Sequence, residues 1–267
     1  MLPDKPKKLG DKRKTELEEV KKERVSIYVC TPAYKGQVDT DYSQSLAESS
    51  FACPLYGVNI TIGVMGNCAF IDLARNIFVQ KFLDDNPDCT HLFFIDSDLK
   101  FEARGLIGLA TAGLPICAGA YRRRQEEEDY PVRFIEHPEQ GGLWVEDGWL
   151  MADRVPTGFL CIRRDVLEEM AAEATLVEVH GQEKPIPWLF SCELIEEGEK
   201  EGRKYARLIG EDFWFCDRYI EKYNKPIPVW MNLDFDHEGY KGNYFNYLER
   251  KILEEQENKS NDQSSAA

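Results

Sequence analysis

The sequence predicts one α/β domain with a mainly parallel central sheet and an irregular second half. Three observations predict it. Through the first half, short apolar runs closed by Pro, Gly or acidic residues alternate with amphipathic stretches of about 10–15 residues, the signature of βαβ units. A chain of 267 residues that is 43% hydrophobic and 12% aromatic can bury a full-sized core, which excludes global disorder, collagen-like repeats and a disulfide-stapled miniprotein. No internal repeat breaks the chain into smaller units.

Residues 1–24 are Lys/Glu-rich and nearly devoid of apolar side chains, and are set apart as a charged arm. The domain is expected over residues 25–248. Val25–Thr31 is apolar and ends at Pro32, so it reads as a buried strand. Asp41–Ala52 has helical spacing, and Val58–Val64 is a β-branched run between glycines, a second strand. Phe70–Leu83 places Ile71, Ala74, Ile77, Phe78 and Phe82 near a 3.6-residue period, an amphipathic helix. His91–Ile95 is a third strand that runs straight into Asp96-Ser97-Asp98. Glu102–Ala112 follows as a helix and Ile116–Tyr121 as a fourth strand.

Beyond this the pattern loosens. Residues 125–153 suggest hairpins or long loops, Phe159–Ile162 a strand, and Arg164–Ala172 a helix. Residues 177–207 read as polar loop, Glu211–Tyr223 as a helix, Ile227–Met231 as a last strand, and Leu233–Tyr244 as a loop rich in Asp, His, Gly and Tyr. From Glu249 to residue 267 the chain is polar and is expected to be disordered beyond a short helix.

Charge and cysteines narrow the class. The net charge is −15, and residues 1–24 carry nine basic and six acidic groups, leaving 24 basic against 42 acidic groups, a charge of −18, on the remainder. Such a body repels polyanions, which argues against general nucleic-acid binding, whereas clustered carboxylates suit a divalent cation. The eight cysteines never lie closer than fifteen positions, so no CxxC motif exists, and several sit in apolar runs as small buried hydrophobes. No signal-peptide pattern or run of about 20 apolar residues is present, so a reducing, cytoplasmic setting is the expectation.

Four features carry candidate chemistry. FFIDSDLKF at 93–101 ends an apolar strand in two carboxylates, Asp96 and Asp98, at the sheet edge where open α/β folds bind ligands. Paired hard oxygen donors there hold Mg²⁺ or Mn²⁺ and leave positions for phosphate oxygens; capping of the next helix is the alternative. An aspartyl-phosphate phosphatase would need Thr or Val after the second Asp, and Leu99-Lys100 stands there instead. Arg75 and Asn76 interrupt the apolar helix, and taken alone they read as a solvated helix face rather than a site. Glu211 and Asp212 open a helix after Gly210, either as dipole-favoured first-turn acids or as a carboxylate base. His237, between acids and glycines in DFDHEGYKGNY at 234–244, is a third metal donor if it meets Asp98 in space.

The ordered set of TPAY after the first strand, ARN on a helix, a strand ending DSD, VPTGFLCIRRDVL at 155–167, GED and a glycine-bracketed His resembles the GT-A-fold nucleotide-sugar glycosyltransferases. It is similar to their GT2-like and Anp1-like groups and to compact viral or bacterial members. The resemblance covers roughly residues 25–245 and implies a GT-A, Rossmann-like domain whose irregular second half faces the acceptor. It implies that Thr31, Pro32 and Tyr34 line a nucleotide pocket and that Arg75 and Asn76 contact the nucleotide or sugar. Asp96 would contact the ribose or donor sugar and, with Asp98 and His237, belong to the site of a Mn²⁺ or Mg²⁺ ion bridging the diphosphate. Lys241 would add charge to the leaving diphosphate, and Gly158 would lie under the donor sugar, where a side chain would intrude. Asp212, or else Glu211, would be the catalytic base.

The implied reaction moves one sugar from a nucleoside-diphosphate sugar, UDP-sugar favoured, to a glycan, lipid-linked, protein or modified nucleic-acid hydroxyl. Inversion is expected if Asp212 lies opposite the leaving group. The chain lacks the QxxRW motif of processive synthases, which favours single addition. Two other classes stay open. A catalytically silent sugar-nucleotide-binding protein would not need DSD, GED and His together. A nucleotidyltransferase would carry a Gly-rich basic loop after its first strand, where Ala-Tyr-Lys-Gly-Gln stands instead. On the acceptor side, Arg122-Arg123-Arg124 either binds a phosphorylated acceptor or pairs with the acids at 126–129, and Trp144 and Trp149 either stack on a sugar or belong to the core.

Overall fold

The apolar run after the N-terminal arm forms β1 (Ser26–Ala33), the strand on which the Rossmann-like front of the fold is laid out. The computed structural model describes residues 24–265, so the charged arm lies outside the described residues apart from Arg24. From β1 the chain passes through α1 (Thr40–Ala52) to β2 (Asn59–Gly66), then through α2 (Ile71–Asp85) to β3 (His91–Ile95). Next come β4 (Leu99–Lys100), α3 (Ala103–Thr111), β5 (Ile116–Gly119), β6 (Arg133–Phe134), β7 (Val145–Glu146), β8 (Trp149–Arg154) and β9 (Phe159–Arg163). The chain continues through α4 (Arg164–Glu173), β10 (Leu176–Val177), β11 (Ile186–Pro187), β12 (Glu193–Lys200), β13 (Arg203–Ile209) and α5 (Glu211–Tyr223). It ends with β14 (Ile227–Trp230), β15 (Phe235–His237), β16 (Tyr240–Gly242) and α6 (Tyr244–Ser265).

Among the described residues the large sheet runs β2-β1-β3-β9-β5-β14-β8-β6, with β7 also on β8. β1 pairs parallel with β2 and β3, and β5 pairs parallel with β14. β9 lies antiparallel between β3 and β5, so β2, β1, β3, β5 and β14 share one direction. The sheet is therefore mainly parallel, as expected, with β9 and β8 reversed.

The central strands β1, β3, β5 and β9 are covered on both faces, which is why they are apolar rather than alternating, whereas β2, β6 and β7 are largely exposed. Along β1, Tyr28 and Cys30 join Phe78 and Phe82 of α2, Leu167 of α4 and Phe215 of α5 in one core. Ile27 and Val29 point the other way, with Tyr42 of α1 and Leu106 and Leu109 of α3. Local signals set the helix ends. The Asp39 side chain accepts the Asp41 N–H at 2.9 Å to cap α1, and Asn224 takes a left-handed φ of 49° to stop α5.

Three expectations differ from the structure. The polar stretch at 177–207 contains an exposed antiparallel hairpin, β12–β13, turned at Glu201-Gly202 with φ of 52° and 73°. Nearly all of it is solvent-exposed, so no apolar alternation marked it. The loop at 233–244 carries the hairpin β15–β16, which pairs through β15 with β4. The polar stretch from Glu249, expected to be disordered beyond a short helix, continues α6 to Ser265; its Leu, Glu, Lys and Gln residues are good helix formers. Six cysteines are buried, Cys68 is half-buried and Cys192 is exposed. Among the described residues no helix is long and apolar enough to cross a membrane.

Candidate active site

In the order β2-β1-β3 the chain leaves β1 in one direction and returns across it to β3, so the carboxyl ends of β1 and β3 flank a topological switch point. A cleft of about 310 Å³ opens there. It is lined by Pro32 near the end of β1 and Tyr34 just after it, Ala74 and Arg75 of α2, Asp96 and Asp98 after β3, and His237 and Arg124.

The β4–β15 pairing brings His237 to Asp98. Leu99 sits opposite His237 and Lys100 opposite Asp236, so the two residues after Asp98 pin β15 against the sheet edge. His237 Nε2 lies 3.4 Å from Asp98 Oδ1. Its Nδ1–H donates to the Arg122 carbonyl at 3.0 Å, which turns Nε2 toward the carboxylate. Burial opposes charge on the ring, yet hydrogen bonding to Asp98 and the Arg122 carbonyl raises its pKa. Burial likewise opposes the Asp98 charge, but His237 and then Arg124 hold that carboxyl below its ordinary range.

Behind this pair lies a buried charge network. Arg75 is 4% exposed; Nη1 donates to Glu211 Oε1 and to the Thr157 hydroxyl, and Nη2 to Asp96 Oδ1 at 3.3 Å. The Tyr121 hydroxyl donates to Asp96 Oδ2 at 2.9 Å and accepts the Gly158 N–H at 3.1 Å. A Cβ on Gly158 would overlap both Asp96 Oδ2 and the Tyr121 hydroxyl, so only glycine fits below that carboxylate. Tyr121 also meets the His237 ring edge-on at 5.2 Å and thereby joins the two halves of the site. Burial and the adjacent Asp96 drive its phenol pKa far up, so it acts as a neutral donor.

Glu211 and Asp212 occupy the first turn of α5, and burial raises the pKa of both while Arg75 pulls each down. Their roles differ by partner. Glu211 is committed to Arg75, while Asp212 Oδ1 accepts the Phe213 N–H at 2.7 Å. A carboxyl with a raised pKa and no bound guanidinium is the better proton acceptor.

Several expected site residues stand elsewhere. Thr31 shares the pleat direction of Ile27 and Val29, so it is fully buried and bonded to the Tyr42 hydroxyl. Asn76 is fully buried; its amide accepts the N–H of Leu189 and Phe190 at 2.7 and 3.0 Å and donates to the Phe190 carbonyl at 2.7 Å. It ties α2 to the segment after β11. Lys241 pairs across β15–β16 with Asp236, on the face opposite His237, and lines a separate pocket with Lys100. Asp96, expected among the metal donors, is turned to Arg75 through Oδ1 and to Tyr121 through Oδ2. Among the described residues no group of three or more His, Cys, Asp or Glu side chains converges as a metal-binding cluster.

Sequence reasoning missed Tyr121, Thr157 and Arg124. Tyr121 and Thr157 read as core and turn residues. Arg124 reads either as a contact to a phosphorylated acceptor or as part of a solvated basic run; in the structure its Nη1 reaches Asp98 Oδ2 at 2.8 Å. Arg123 does pair with Asp129, at 2.7 Å. Trp149 packs against the core and Trp144 against His137.

No protein-family model matches the chain, and no curated protein matches it. A solved structure described as a glycosyltransferase involved in the glycosylation of the major capsid of PBCV-1 is similar to it at 11% identity and a TM-score of 0.29. That match spans 54% of this chain and 63% of the other.

Proposed function

We propose that this chain is a metal-dependent glycosyltransferase that moves a single sugar from a nucleoside-diphosphate sugar, UDP-sugar favoured, to an acceptor hydroxyl with inversion. The observation that carries this reading is the meeting of Asp98, His237, Asp96 and Arg75 in one cleft at the switch point of the sheet. The ordered motifs of the GT-A resemblance fall on the same residues.

Asp98 and His237 fit a hard divalent ion as part of its shell. Ligands about 2.0–2.2 Å from a shared ion stand roughly 3.0–3.4 Å apart, and the Asp98–His237 separation is 3.4 Å. Two protein donors leave room for phosphate and water oxygens, as Mn²⁺ and Mg²⁺ sites in nucleotide enzymes require. When bound, the ion supplies Lewis-acid stabilisation of the leaving diphosphate.

The chain's own groups do the rest. Pro32 and Tyr34 offer a wall at the end of β1 for the base. Asp96, its carboxylate held by Arg75 and Tyr121, accepts hydrogen bonds from donor hydroxyls, and Gly158 keeps the space beneath it tight. Asp212 takes the proton of the acceptor hydroxyl. Its burial raises its proton affinity toward working pH, which suits a general base.

A screen of nucleotide sugars with Mn²⁺, read as nucleoside diphosphate release, tests the proposal. Release should require Mn²⁺ and vanish in EDTA and in Asp98→Ala, with His237→Ala milder. Full activity in EDTA would sink the metal role. Pyrophosphate release would mark a nucleotidyltransferase, and tight binding without turnover a silent binding protein.

A further inference from the structure

We infer that Arg124 is a latch on the cation site: it holds Asp98 before a divalent ion binds, yields to the incoming ion, and then binds the diphosphate that arrives with it. This rests on the proposed metal-dependent reading of the cleft. Three residues in a row are arginine, and the structure uses each differently. Arg122 donates to the carbonyls of Gln125 and Glu126 and lies over the Tyr240 ring at 5.3 Å. Arg123 is bound to Asp129. Arg124 alone of the three lines the cleft, with Nη1 2.8 Å from Asp98 Oδ2 and 3.2 Å from Glu238 Oε1.

The geometry divides Asp98 between two cations, since His237 Nε2 faces Oδ1 and Arg124 holds Oδ2. An ion shared by Asp98 Oδ1 and His237 Nε2 repels the guanidinium on Oδ2, and that repulsion loosens Arg124 from Asp98. Displacement is inexpensive because the Arg124 side chain is 47% exposed and sits in the strand-free segment between β5 and β6. Once freed, the guanidinium stays in the cleft, where its flat fork matches phosphate oxygens.

The other bases of the cleft cannot take this part. Arg75 has committed both terminal nitrogens to Glu211, Thr157 and Asp96. Lys241, expected from the sequence to meet the diphosphate, faces away with Asp236. Arg124 therefore takes the role that the resemblance implies for Lys241, and adds competition with the metal.

The test compares wild type, Arg124→Gln and Arg124→Lys, measuring Mn²⁺ binding by electron paramagnetic resonance without nucleotide, and UDP binding by calorimetry with Mn²⁺ saturating. Removing the latch should tighten binding of Mn²⁺ alone by roughly tenfold, while weakening UDP by roughly 10–100-fold. Arg124→Lys should recover part of the UDP affinity, because it restores the charge without the fork. If Arg124→Gln leaves both affinities unchanged, or weakens Mn²⁺ and UDP together, the latch is overturned while the metal site stands. If no variant, nor wild type, binds Mn²⁺ even with UDP, the metal reading and the latch fall together.

Discussion

Gly158 lies directly beneath the Asp96 carboxylate: its carbonyl accepts the Asp96 N–H at 3.0 Å, and a Cβ in its place would overlap Asp96 Oδ2. The first β9-side turn residue is thus fitted against the carboxylate that ends β3. Gly158→Ala should push Asp96 and Tyr121 apart, cost about 1–3 kcal/mol of stability, and weaken UDP-sugar binding. Thermal unfolding and nucleotide titration check it, and unchanged values in both would mean that the contact is slack.

Asp212→Asn keeps the first-turn hydrogen bonding of α5 but removes the proton acceptor. Transfer should fall by ~10²–10⁴-fold with donor affinity almost unchanged. Glu211→Gln should behave in the opposite way. It breaks the buried pair with Arg75, whose side chain is 5% exposed, and should cost about 2–4 kcal/mol of stability. Single-turnover rates and unfolding midpoints separate the two; equal rate losses in both variants would deny Asp212 its distinct role.

Asn76→Ala tests a residue that reads as a ligand contact and stands as a brace. Loss of its amide leaves the N–H groups of Leu189 and Phe190 buried without their acceptor, at a cost of about 2–4 kcal/mol. UDP affinity of the folded fraction should hold. Affinity lost without a fall in the unfolding midpoint would return Asn76 to the binding site.

His91 makes stability pH-dependent from the far end of β3. Burial, aided by the charge of Arg163, lowers its pKa from 6.5 to about 4, so the folded ring is neutral while the unfolded one takes up a proton between these values. The stabilisation is complete above about pH 6.5 and is lost as pH falls toward about 4. The loss amounts to about 3–4 kcal/mol. His91→Phe keeps a buried ring and should flatten that part of the profile in urea titrations at stepped pH. An unaltered slope would place the proton uptake elsewhere.

Much of the fold was legible because its strands and helices carry strong local signals. Glu211–Tyr223 is bounded by the same residues in sequence and structure, as is His91–Ile95. The hairpin β12–β13 was not, since a ribbon exposed on both faces buries no apolar set and leaves no period to read. Its turn, Glu201-Gly202, was the one available cue.

By itself the sequence determined which chemistry stands at the ends of which elements: two carboxylates after an apolar strand, two more opening a helix, a histidine among glycines. These follow from burial and helix-end electrostatics within a few residues. Tertiary structure decided which of these groups meet. The β4–β15 pairing sets His237 beside Asp98 and, by the two-residue pleat, turns Lys241 away. Arg75 finds Glu211 across 136 residues of chain, and Arg124 finds Asp98 across 26. Such partners depend on strand order and register, which are products of the whole sheet, so no local pattern of residues encodes them.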